Sequence, residues 1–252
     1  MKFHLSVFSK SAMAMLTSLL AQVLQSAWAQ TEPQLQGDAG LALYNTPHIT
    51  RTADKSNTVL PYIYADYGNL YARVNTFGYQ AMPLGNGHLE LAARVSVEAY
   101  RAADRGIGNR STPIPVGLGT LQETPYGAFF LYGFHDTVSG GTLLDLMYAA
   151  EMSAGPIEVY PQFGLERRSA RYMQHLYAVS STEAAQSGLS SYTPGKASSP
   201  YLSMALEYPL PDKLKLSFQI TKKWLGKSMT DSPLINTSTQ TSGLLALVHV
   251  FP

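Results

Sequence analysis

The sequence has no cysteine, no apolar run beyond residue 29 long enough to cross a membrane as a helix, and almost no net charge, with 18 Lys and Arg against 17 Asp and Glu. The first absence excludes a disulfide framework in an exported chain, so stability must come from a closed sheet or a buried core. The second, with a mean hydropathy close to zero, excludes a helical membrane protein. The third leaves no basic stripe or tail for nucleic acid, and no such partner is expected. His48, His88, His135, His175 and His249 lack zinc-ligand spacing, so no metal or cofactor site is expected. No repeat of solenoid or propeller length is present.

What is present begins with an export signal. Residues 1–29 carry Lys2 and Lys10, an apolar stretch from Ala12 to Leu24, and a small-x-small end at Ala27-Trp28-Ala29. Ser18, Gln22 and Gln25 break the apolar stretch below the roughly 18 residues a spanning helix needs. Cleavage before Gln30 is therefore expected, leaving residues 30–252 as one β-barrel domain with a formal charge of −1, 16 bases against 17 acids. No Cys stands near that point to carry a lipid.

The rest of the chain alternates. From Lys213 to Thr221, Leu214, Leu216, Phe218 and Ile220 share one strand face, and Lys213, Lys215, Ser217, Gln219 and Thr221 share the other. The same period sets Leu89, Leu91, Ala93, Val95 and Val97 against His88, Glu90, Arg94, Ser96 and Glu98, and Ile157 to Leu165 against Glu158, Gln162 and Glu166. Segments of roughly ten residues suffice for a tilted strand to cross the hydrocarbon core. The final strand, Gly243 to Phe251, ends on an aromatic residue. These features predict an all-β fold, a transmembrane antiparallel β-barrel of 10–12 strands in a Gram-negative outer membrane, in contact with its lipid and lipopolysaccharide.

Candidate strands lie at 39–44, 58–67, 69–77, 88–99, 125–136, 141–152, 156–167, 171–179, 201–208, 213–224 and 242–251. An even total requires one of these to be false or a twelfth at 114–122, where Pro113, Pro115, Gly117 and Gly119 weaken the pattern. Gly68-Asn69, Ser139-Gly140, Gly155-Pro156 and Pro209 to Asp212 read as tight turns, and 45–57, 101–112, 180–200 and 227–241 as long loops. Tyr62, Tyr64, Tyr67, Tyr71, Tyr126, Tyr132, Tyr148, Tyr201, Tyr208 and Trp224 are expected at the membrane interfaces.

Arg73, Glu90, Arg94, Glu98, Asp145, Glu151, Glu158, Glu166, Glu207, Lys213 and Lys215 stand opposite apolar neighbours and are the candidate lumen-facing set. In a small barrel such charges pair across the interior, because an unpaired buried charge costs several kcal/mol. They fill the barrel or line a selective path. His135-Asp136 with a serine supplies the parts of a hydrolase triad, but abundant serines supply them by chance, and no catalytic residue is assigned. The run Arg167-Arg168-Ser169-Ala170-Arg171 suits lipopolysaccharide phosphates or an ordinary solvated turn. Asp231-Ser232-Pro233 reads as a Pro-fixed turn.

Several segments together resemble the MipA/OmpV family of outer-membrane proteins, named partly for a protein that binds the lytic transglycosylase MltA. They are VLPYIYADYGNLYARV (59–74), VGLGT (116–120), TPYG (124–127), YMQHLYAVSSTEAAQSGLSSYTPG (172–195) and DSPLI (231–235), in order along the chain. The resemblance implies a non-enzymatic barrel. Its implied roles run from a scaffold joining a lytic transglycosylase and a murein synthase to the membrane, through small-solute channel, to surface adhesin; fold alone does not choose among them.

Overall fold

A strand that is apolar on one face and polar on the other can hide both its polar face and its backbone from lipid only in a sheet that closes on itself. The computed structural model describes residues 33–50, 56–96 and 106–252, so the signal segment 1–29 and Glu98 lie outside the described residues. Residues 35–252 form one compact unit.

The strands are β1 (Leu35–Thr46), β2 (Ser56–Tyr67), β3 (Leu70–Arg73), β4 (Thr76–Leu84), β5 (Gly87–Arg94), β6 (Pro115–Thr124) and β7 (Gly127–Asp136). They continue as β8 (Thr142–Ala150), β9 (Met152–Ala154), β10 (Ile157–Arg168), β11 (Ala197–Pro209), β12 (Leu214–Trp224) and β13 (Thr239–Phe251). β8 and β9 both pair with β10 and are one strand interrupted at Glu151, so the barrel has twelve strands. Each strand pairs antiparallel with its chain neighbour, and β13 closes on β1 in the register Leu41↔Leu247. Lipid-facing positions are apolar and exposed, as at Leu41 (63%) and Phe163 (57%), while Ala246 and Val248, on either side of the exposed Leu247, are buried inside.

Short turns at 68–69, 85–86, 125–126, 155–156 and 210–213 share one rim with the start of β1 and the end of β13. The other rim carries the connections 47–55, 95–114, 137–141, 169–196 and 225–238, together with the turn at 74–75. Among the described residues, three helices lie in the long connections: α1 (Ala170–Tyr177), α2 (Ser181–Ser187) and α3 (Lys227–Thr230).

Three expectations need correcting. Most of 171–179 lies in α1, Ala170–Tyr177, and not in a strand: Tyr172, Met173, Leu176 and Tyr177 fall on one helical face, and Ser169 stands at the N-cap. Residues 69–77 are not one strand, because Val74 adopts φ 58° and folds β3 back into β4, a strand the alternation missed. A β-branched residue is strained there, and Val74 is held by packing against the cluster of Ala42, Tyr62 and Leu244. Finally, 114–122 does supply a strand, β6. An added Cβ at Gly119 would stand 1.9 Å from the Tyr132 ring, so the glycine makes room for a tyrosine and does not weaken the wall.

Candidate functional site: a capped lumen crossed by ion pairs

The chain after β10 turns inward because its sequence changes period. Ser169 Oγ accepts from the Thr142 N–H at 2.8 Å and caps α1, whose apolar face then drops into the long-loop mouth of the barrel. Met173 and Leu176 are fully buried there among Ala92, Tyr132, Phe134 and Leu143 of the wall and Ile49, Leu225, Met229 and Ile235 of the neighbouring connections. Polar ties hold the helix end: Ser232 Oγ donates to the Tyr177 carbonyl at 2.8 Å, and Arg110 Nη2 to that of Ala178 at 2.9 Å. Above it, Ile107, Val179 and Leu234 form a second apolar layer.

A clasp closes that layer. Glu183 accepts from the N–H groups of Ser180 and Gly108, both at 3.0 Å, and from Arg110 at 2.9 Å, joining α2 to the β5–β6 connection. Burial alone would raise the Glu183 carboxyl; these donors outweigh it and hold it at about 2.

Below the cap the interior is polar and paired. Glu90 is fully buried, taking Arg73 Nη1 at 3.1 Å and the Tyr132 hydroxyl at 2.6 Å. Arg94 donates to Asp145 at 2.6 Å and to Thr76 Oγ1 at 3.1 Å, and Tyr201 donates to the other Asp145 oxygen at 3.1 Å. Glu166 joins Arg168 at 2.6 Å and Lys223 at 3.2 Å. Lys215 bridges Asp38 and Glu207, the latter at 2.9 Å. Arg94 and Asp145 stand on β5 and β8, three strands apart, so this pair is a chord through the interior.

Of the candidate lumen residues, Arg73 and Glu90 are thus brought together, as are Arg94 and Asp145; Glu166 and Lys215 each gain other partners. Glu158 is half-buried nearer the short turns and accepts from Ser153 Oγ at 2.7 Å. Lys213 is exposed in the β11–β12 turn, not over the lumen, because Asp212 and Lys213 both take positive φ to make a tight hairpin. Glu98 lies outside the described residues. His135 and Asp136 point to opposite faces of β7, and the Asp136 carboxylate accepts the N–H groups of Ile114 and Ser139, so it does not stand behind the histidine.

The tyrosines were the missed members. Tyr71, Tyr132 and Tyr201 lie inside the barrel, not at the interfaces, each directly opposite a glycine on the next strand: Gly78, Gly119 and Gly164. Their rings lie over those glycines, and Tyr132 and Tyr201 thereby bring their hydroxyls to the Glu90 and Asp145 carboxylates. Ser232, read as loop geometry, ties down the cap. Register across strands was the signal for the first group, and it is not visible along one chain.

Comparison with known proteins agrees with this architecture. The chain is 25% identical over 218 residues to the MltA-interacting protein of Escherichia coli (strain K12), covering 83% of this chain and 87% of that one. It is 23% identical over 214 residues to the putative outer membrane protein YiaT of Escherichia coli O157:H7, covering 82% and 86%. A 24 kDa outer membrane protein of Pasteurella multocida (strain Pm70) is 24% identical over 219 residues, covering 78% and 84%. A closed barrel with an apolar outer face and relatives named as outer-membrane proteins put this chain in the Gram-negative outer membrane. The family model described as MltA-interacting protein MipA matches residues 39–251, nearly the whole barrel, and the chain belongs to that family.

Proposed function

We propose that this protein is a non-catalytic outer-membrane scaffold that holds a murein enzyme, a lytic transglycosylase or a murein synthase, at its short-turn rim. In outer-membrane barrels the short turns face the periplasm, where murein lies. The carrying observation is Tyr126, which stands at a turn tip of that rim and, at 78% exposure, is the most exposed large apolar residue among those described. Glu123 on β6 and Glu151, whose N–H donates to the Tyr126 carbonyl, are exposed beside it, and Asp212 is exposed in the β11–β12 turn of the same rim. An exposed aromatic anchor flanked by acids suits a protein partner with a basic surface. The relative named MltA-interacting protein supports a murein-related partner. In situ cross-linking from a photoreactive residue at Tyr126 should capture murein hydrolases or synthases, and Tyr126→Ala with Glu151→Lys should abolish their co-purification. Capture of neither enzyme class, or co-purification indifferent to both changes, would reject the scaffold.

A solute path is the second reading, favoured by the paired charges that line the interior below the cap. It requires α1 to move.

A further inference from the structure

We propose that the outer wall of β10–β12, at the long-loop rim, binds the phosphorylated headgroup of an outer-leaflet glycolipid, the bis-phosphorylated anchor of lipopolysaccharide. With the short turns in the periplasm, this part of the wall meets the outer leaflet. On β10 the outward series Phe163, Leu165 ends in Arg167, and on β12 the series Phe218, Ile220 runs on to Lys222 and Trp224. Arg167 is opposite Ser198 and Lys222 opposite Leu202, so the two bases flank β11 on its two sides. Arg171 at the start of α1 and Lys196 just before β11 are exposed at the same rim.

The acids of this sector are already committed. Glu166 turns inward to Arg168 and Lys223, and Asp231 pairs with Lys227, so among the described residues none of the four bases has an ion-pair partner. Directly beneath them the wall is exposed and apolar at Phe163, Leu165, Leu202 and Ile220. Among the described outward strand positions of this rim, Arg167 and Lys222 are the only lysine or arginine; the others are apolar, as at Val116 and Leu144, or polar, as at Asn45, His135, Thr142 and Thr241. A cluster of positive charge above apolar wall matches a lipid with phosphates above acyl chains, and Arg in particular makes strong charge-assisted bonds to phosphate oxygens.

Trp224 lies beside Lys222, whose Nζ is 5.6 Å from its ring, and is the one tryptophan in residues 30–252, so its fluorescence reports on the site. The protein comprising residues 30–252, folded in neutral detergent micelles, is titrated with bis-phosphorylated lipid A, its dephosphorylated form, phosphatidylglycerol and inorganic phosphate. Lipid A should change Trp224 emission saturably, and Arg167→Gln with Lys222→Gln should weaken it about tenfold or more. Lys213→Gln on the opposite rim should not. Equal binding of dephosphorylated lipid or of phosphatidylglycerol would overturn the proposal in favour of a generic interface. Saturation by inorganic phosphate alone would overturn it in favour of a free-anion site. Should the double variant fail to fold, as judged by heat-modifiability on gels, Arg171→Gln with Lys196→Gln lies outside the strands and must show the weakening; unchanged affinity there rejects the site. None of these readouts involves Tyr126, so the scaffold and the lipid site fail separately.

Discussion

Tyr132 links three parts of the wall through one side chain: its ring lies over Gly119 of β6, its hydroxyl meets Glu90 of β5, and Glu90 in turn holds Arg73 of β3. A methyl at Gly119 would collide with that ring, so Gly119→Ala must displace Tyr132 and strand part of the Glu90 carboxylate. We expect a loss of about 1–3 kcal/mol, the cost of an unsatisfied buried polar group, read as a lower urea midpoint of the folded barrel. Tyr132→Phe removes the hydroxyl without the clash and should lose less. Glu183 behaves differently, being outside the membrane. Its folded pKa of about 2 lies below its ordinary 4.5, so its clasp contributes fully above pH 4.5 and is lost as pH falls through 2. The Gly108 amide resonance should therefore titrate near pH 2, and Glu183→Gln should remove that titration. A midpoint at the ordinary value would mean the clasp does not form.

Among the elements, β12 is the one in which sequence and structure coincide most fully. Leu214, Leu216, Phe218 and Ile220 are exposed on its outer face, and Lys215, Ser217, Gln219 and Thr221 point inward. Phe218→Arg puts a charge against lipid near the strand centre, at a cost of about 2–4 kcal/mol. Gln219→Ala forgoes bonds to Gln162 and Ser203, worth about 1 kcal/mol. Folding yield into bilayers, scored by heat-modifiability, should fall far more for the first change. Helix α1 is the opposite case. Its residues alternate well enough to pass for a strand, but the spacing of Tyr172, Met173, Leu176 and Tyr177 fits a helical face better, and Ser169 marks its start. Nothing local says that this face enters the barrel; the cap exists because Ile49, Met229 and Ile235 from two other connections meet it there.

For the whole molecule the decisive question is whether the cap shuts the lumen. With α1 seated, planar-bilayer recordings should show no steps above background. Met173→Asp with Leu176→Asp introduces two charges into the apolar cluster and should release conductance steps while the wall stays folded. Steps in the unaltered protein, changed by Arg94→Ala, would favour the solute path over the scaffold.

The alternating pattern determined the closed sheet by itself, because a strand with lipid on one side and a polar interior on the other allows few alternatives to closure. It also marked out Arg73, Glu90, Arg94 and Asp145 as charges needing partners. Which charge met which, which tyrosines turned inward over glycines, and whether residues 170–177 filled the mouth were decided only by the tertiary structure. Register, strand tilt and loop packing set distances between residues far apart in the chain, and a period of two carries no information about them.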